Sequence, residues 1–132
     1  MDFLGYRKLV VYTKAQELVK CVYKLLEQFP REEQFALSSQ LRRAAVSITS
    51  NIAEGVSRYS YKDKVHFLEI AFGSLMEVMS QLAKELKYIT EQELHTIELL
   101  VVNIAQLLTS LQYSFLPKDE EGEITKPYQR KK

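Results

Sequence analysis

One run of residues limits what this chain can fold into more than any other: Leu41-Arg42-Arg43-Ala44-Ala45-Val46-Ser47-Ile48-Thr49-Ser50-Asn51-Ile52-Ala53-Glu54-Gly55. Leu41, Ala45, Ile48 and Ile52 recur at the four-three-four spacing of a helix seam. Almost everything between them is small. A helix of this kind lets neighbouring backbones approach closely on more than one side, and this one opens with two adjacent arginines. The pattern suits a scaffold or binding surface better than a catalytic pocket.

The rest of the chain fits helix packing. Its 132 residues, 46% of them hydrophobic, suit one domain, short enough for contacts between subunits to matter. Four glycines and three prolines leave few breakers, and two of the prolines follow residue 116. Helix one is expected from about Arg7 to Phe29, with Val11, Ala15, Leu18, Val22, Leu25 and Phe29 in one stripe and Pro30 as the stop. Helix two is expected to begin between Arg31 and Ser39. Its core face is Phe35, Leu37, Leu41, Ala44, Ile48 and Ile52, with a milder stripe of Val46, Thr49, Ala53 and Val56. Gly55 serves either as its C-terminal cap or as a point of close helix contact. Ser60 to Asp63 reads as a capping box opening helix three, which follows Leu68, Ala71, Leu75, Val78, Leu82 and Leu86 to about Tyr88. Thr90-Glu91-Gln92-Glu93 is a second box, which leaves a connection of only a residue or two and makes helices three and four antiparallel neighbours.

Helix four is apolar on nearly every side from Ile97 to Leu111. One core face cannot use all of these residues, so part of the helix is expected under another subunit, with Leu99, Val101, Val102 and Leu108 as interface candidates. The bundle is expected over residues 1–116 and a disordered polar tail over 117–132.

The net charge of +1 hides an asymmetry. Residues 1–64 hold eleven Lys/Arg against seven Asp/Glu, a balance of +4; residues 65–116 hold two against six, a balance of −4. The halves can attract within one bundle or across subunits, or the basic half can face an anion. The residues for such contact are Arg7, Lys8, Lys14, Lys20, Lys24, Arg42, Arg43, Arg58, Lys62 and Lys64. Tyr59 and Tyr61 are possible stacking groups, and helix three offers N-terminal N–H groups to a phosphate.

Other chemistry finds little support. The single Cys21 cannot form an internal disulfide and suits a reducing compartment. No leader pattern is visible, and the longest unbroken aliphatic run, Leu99 to Val102, is far short of a membrane span. A soluble, cytoplasmic protein without membrane contact is expected. His66-Phe67-Leu68-Glu69 and His95-Thr96-Ile97-Glu98 pair histidine with carboxylate on a helix, but antiparallel helices hold them roughly 20 Å or more apart at about 1.5 Å per residue. No metal or other cofactor is expected. Phosphate loops, Cys-x-x-Cys pairs and serine-nucleophile motifs are absent from the sequence.

With these residues read, the chain resembles the four-helix-bundle family named for proteins encoded in intervening sequences of bacterial 23S ribosomal RNA genes. The likeness is carried by Phe3 to Lys14, by Phe29-Pro30 with Arg31-Glu32-Glu33, by Ser39 to Ile48, and by Ser50 to Gly55. Phe67-Leu68-Glu69-Ile70-Ala71 and Gly73-Ser74-Leu75-Met76-Glu77 complete it. The chain departs at Thr49, where the family often has proline; threonine keeps its N–H, so a kink there should be weaker. The resemblance implies an antiparallel bundle closing into a homopentameric ring, and it supplies no enzyme activity, because none is established for the family. Accessory proteins of diversity-generating retroelements are distantly similar in fold, and they use a basic ring surface to contact nucleic acid and a reverse transcriptase.

The expectation is therefore an all-α, up-down four-helix bundle assembling into a ring. Its role is that of a non-enzymatic scaffold binding RNA or DNA, with itself and a nucleic-acid-processing protein as partners. The alternative is a protein–protein assembly module with no nucleic-acid role.

Overall fold

The computed structural model describes residues 3–117. Apart from Pro117, the tail expected over 117–132 lies outside them. Among the described residues the chain is entirely helical. A 3₁₀ turn, Gly5–Lys8, precedes α1 (Val10–Leu26), α2 (Ser39–Ser57), α3 (Tyr61–Leu82) and α4 (Glu91–Ser114). Each helix packs on the one before and the one after it, and α4 returns to α1. The four therefore stand around a square, with α1 diagonal to α3.

Contacts along the seams show that neighbours run antiparallel. The Arg42 guanidinium at the start of α2 lies 5.9 Å from the Tyr23 ring near the end of α1. Ser47 and Ser74 share a 2.8 Å hydroxyl contact midway along α2 and α3. Gln112, late in α4, donates to Glu69, early in α3, at 2.8 Å. Gln28, just past α1, donates to Glu93 in the first turn of α4 at 2.8 Å.

The small side chains of α2 bring it closest to α3. Ala44, Ala45, Ile48 and Ile52 are buried, as are Leu68, Ala71, Leu75 and Val78 opposite. Gly55 lies inside α2 rather than past its end, so it is a contact glycine and not a cap. A Cβ there would come within 3.1 Å of the Lys64 carbonyl oxygen and 3.2 Å of the Phe67 Cβ. α2 runs unbroken through Thr49, whose hydroxyl donates back to the Val46 carbonyl.

Three local expectations are corrected. α1 begins at Val10 and ends at Leu26, and the chain tightens through Glu27, Gln28 and Phe29 before Pro30 is reached. A π-helical turn, Gln34–Ser38, leads into α2. Its wider turn rotates the preceding face out of register with the seam. Phe35, expected in the core, is therefore 95% exposed, while Ser38 is buried. The connection from α3 to α4 spans eight residues, 83–90, not one or two. Ile89 plugs it into the core and Tyr88 packs on Phe29 at 5.1 Å, leaving Leu86 outside. The second capping box forms in full, with Thr90 and Glu93 capping each other reciprocally; at the first, only half forms, the Asp63 N–H donating to Ser60 Oγ.

α4 has the length and composition to cross a bilayer. Its inner face of Ile97, Val101, Ile104, Leu108 and Gln112 is nonetheless built into the bundle. Leu99 and Val102 remain 60% and 49% exposed.

Candidate nucleic-acid interface

Antiparallel packing brings the start of α1, the end of α2, the start of α3 and the end of α4 to one end of the bundle. A cleft of about 450 Å³ opens there, lined among others by Tyr6, Leu9, Val56, Tyr59, Lys64 and Phe115. Arg58 stands on its rim, ion-paired with Glu54 and 4.6 Å over the Phe67 ring. Lys64 is a strut: its Nζ donates to the Val56 carbonyl at 3.0 Å and lies 4.9 Å from the Phe115 ring. That contact satisfies a carbonyl at the C-terminus of α2, where positive charge is favoured. Arg7 and Lys8, at the foot of α1, and Lys62, in the first turn of α3, are exposed. Arg7 spends one N–H on the Leu4 carbonyl. Tyr59 is 83% exposed. The start of α3 is less open to a phosphate than expected, because Ser60 accepts one N–H and Asp63 puts a carboxylate in the first turn.

The other basic candidates lie elsewhere. Arg42 is half-buried at the opposite end, where it donates to Gln34 at 3.0 Å and covers Tyr23. Arg43, beside it, is exposed. Lys20 and Lys24 project from α1, and Lys14 pairs with Glu17 at 3.3 Å. The ten cations thus divide between the two ends and the outer side of α1. Arg7, Lys8, Arg58, Lys62 and Lys64 share one end, and Lys64 is occupied in holding it together.

The interface candidates on α4 divide as well. Val101 and Leu108 are 3% and 0% exposed, so both belong to the core of the single chain, because the helix turns them inward. Leu99 and Val102 are exposed apolar surface. Reading α4 as apolar all round did not separate these pairs, since only the direction of the core does so. The sequence reading also missed Tyr6 and Phe115 as cleft walls. Their position on either side of the bundle ends was the only available signal.

At the opposite end, a side-chain hydrogen bond from Gln28 and the backbone N–H of Thr90 hold the Glu93 carboxyl below the usual carboxylate range. A hydrogen bond with Tyr88 raises Lys87. Among the described residues, no three of His, Cys, Asp and Glu lie close enough together to hold a metal ion. Cys21 is half-buried against the core.

These features define an all-helical bundle held by a small-residue seam between α2 and α3, with one basic, tyrosine-bearing end and an apolar strip along α4. Residues 7–110 match the 23S rRNA-intervening sequence protein family, and the chain belongs to it. It is also similar to a crystallised protein of unknown function from the S23 ribosomal protein family of Bacteroides thetaiotaomicron. The two share 28% identity with a TM-score of 0.71, over 79% of this chain and 96% of that one. No curated protein matches the chain significantly.

Proposed function

We propose that this chain is a non-enzymatic, cytoplasmic scaffold that assembles with copies of itself and binds RNA or DNA at the Arg58 end of its bundle, presenting it to a partner protein. The observation that carries this reading is that Arg58 and the exposed Tyr59 line one cleft at the end of the bundle where the exposed Arg7, Lys8 and Lys62 also lie. Cations beside an aromatic face are what a single strand needs: charge for the phosphates and a platform for a base. One such end is a weak site. A ring, five-membered as the family resemblance implies, repeats it and gains avidity without any new contact. A second reading, assembly without nucleic acid, draws on the exposed strip of α4, which calls for a protein surface and nothing else.

Titration of a single-stranded RNA against the protein over a range of salt concentrations tests the proposal. Log affinity should fall linearly with log salt, with a slope of about −0.7 for each phosphate neutralised. Replacing Arg7, Lys8, Arg58 and Lys62 by alanine should weaken binding and flatten that slope, with mass and helicity unchanged. Replacing Arg43 alone should do neither. Absence of binding by the unaltered protein at low salt, or unchanged binding by the intact quadruple variant, would leave the assembly reading in its place.

A further inference from the structure

We propose that the acidic segment Asp119-Glu120-Glu121-Gly122-Glu123 docks on the basic end of its own chain, beside the cleft that Phe115 walls, and that a nucleic acid has to displace it to bind. The competition rests on the nucleic-acid reading above; the docking does not.

Two observations carry it. The first is where the chain leaves the bundle. Phe115 follows the last turn of α4 and stands in the cleft wall, with Lys64 Nζ 4.9 Å from its ring. Leu116 is 6% exposed, so the chain is still anchored one residue further on. The acids begin three residues past Leu116. At about 3.5 Å per residue, even a fully extended chain keeps Asp119 within roughly 14 Å of Phe115 and Glu123 within roughly 28 Å. The opposite end of the bundle, with Arg42 and Arg43, lies the length of α4 away, roughly 36 Å at about 1.5 Å per residue. The acids therefore reach the Arg58 end and fall short of the other.

The second observation is charge. Residues 118–123 carry four acids and one lysine, whereas residues 124–132 carry four Lys/Arg and no acid. The acidic part is the part next to the bundle. There, Arg7, Lys8, Arg58, Lys62 and Lys64 stand with the acids Glu54, Asp63 and Glu69. Glu54 pairs with Arg58, Glu69 accepts from Gln112, and Lys64 donates to the Val56 carbonyl. The exposed Arg7, Lys8 and Lys62 then outnumber the exposed Asp63. A row of carboxylates offers these cations what a nucleic-acid strand offers, a chain of negative charge. Because the row is tethered, its effective concentration is about millimolar, and a weak contact is enough to fill the site.

Two measurements on the full-length protein test this. The first uses no nucleic acid: zero-length carbodiimide cross-linking joins carboxylates to amines in contact. Links from residues 119–123 to the bundle should go to Lys8 and Lys62, not to the exposed Lys20, Lys24 or Lys84. A mixture of isotope-labelled and unlabelled protein should show them within one chain. Links spread evenly over these lysines, or found only between chains, overturn the docking. The second is the affinity for a single-stranded RNA at about 0.1 M salt, where charges more than about 10 Å apart are largely screened. Asp119→Asn with Glu120→Gln, Glu121→Gln and Glu123→Gln should bind about tenfold tighter, the factor that a tethered contact of ~0.1 mM affinity imposes at ~1 mM effective concentration. Glu27→Gln with Glu32→Gln, Glu91→Gln and Glu98→Gln removes as much charge from exposed acids towards the opposite end and should bind as the parent does. Equal tightening in both variants, or none in the first, overturns the competition. If no form binds RNA, the nucleic-acid reading falls and with it the competition, while the cross-links still decide the docking.

Discussion

Gly55 and Gly73 show how much depends on what faces a single residue. Both lie inside helices, where replacing glycine by alanine gains about 1 kcal/mol of propensity. At Gly73 nothing stands within 4 Å of an added Cβ, so the gain should be kept, and Gly73→Ala should raise the thermal midpoint. At Gly55 the added carbon meets the Lys64 carbonyl at 3.1 Å, and Lys64 is pinned from its other end by the Val56 carbonyl. Overpacking of this sort costs about 1–3 kcal/mol, which exceeds the propensity gain. Gly55→Ala should therefore lower the midpoint. A stabilised Gly55→Ala variant would mean that α2 and α3 separate easily. A destabilised Gly73→Ala variant would mean that another chain fills the space outside α3. From sequence alone Gly55 could be a cap or a contact, because the choice depends on where the next helix crosses.

At the scale of elements, what the sequence states locally was legible and what depends on register was not. The seam of α2, the Ser60 cap and the Thr90–Glu93 capping box are patterns of residue type at fixed spacing, and each forms, although Asp63 does not return the bond that would complete a box at Ser60. The π turn before α2 has no such signature, so Phe35 was placed in the core by continuing the period of the helix backwards. Continuing the period of α3 forward through Leu86 hid the eight-residue connection in the same way. The start of α4 carries a prediction of its own. Glu93 accepts from the Thr90 N–H at 2.9 Å and from Gln28 at 2.8 Å, which ties the end of α1 to α4. Both bonds favour the carboxylate, so its folded pKa lies below the ordinary 4.5. A depressed acid contributes stability above its unfolded pKa and loses it as pH falls through the folded one. Acidification below pH 4.5 should therefore lower the midpoint of the parent protein more steeply than that of Glu93→Gln. Parallel profiles of midpoint against pH would show that this clasp adds nothing to the acid branch.

For the whole molecule, the sequence named the basic residues but not their grouping, because charge along a chain says nothing about which ends of four helices coincide. Antiparallel topology brought Arg7 and Lys8 to Arg58 and Lys62, and carried Arg42 and Arg43 to the far end. It also decided that half of the expected α4 interface is core. What remains outside, Leu99 and Val102 on α4 and Met76 on α3, is apolar surface that only association can remove from water. Association that favours the folded chain makes its stability depend on concentration. The thermal midpoint of the parent protein should therefore rise as its concentration is raised a hundredfold. Leu99→Lys with Val102→Lys should melt lower, at a midpoint that no longer moves with concentration, and with the helicity of the parent at low temperature, because neither side chain is part of the core. Val101→Lys differs from these: that residue is 3% exposed, so a charge there should unfold the single chain at every concentration. A parent midpoint that is flat with concentration would show that the strip on α4 faces water in the folded protein and that the protein is a monomer.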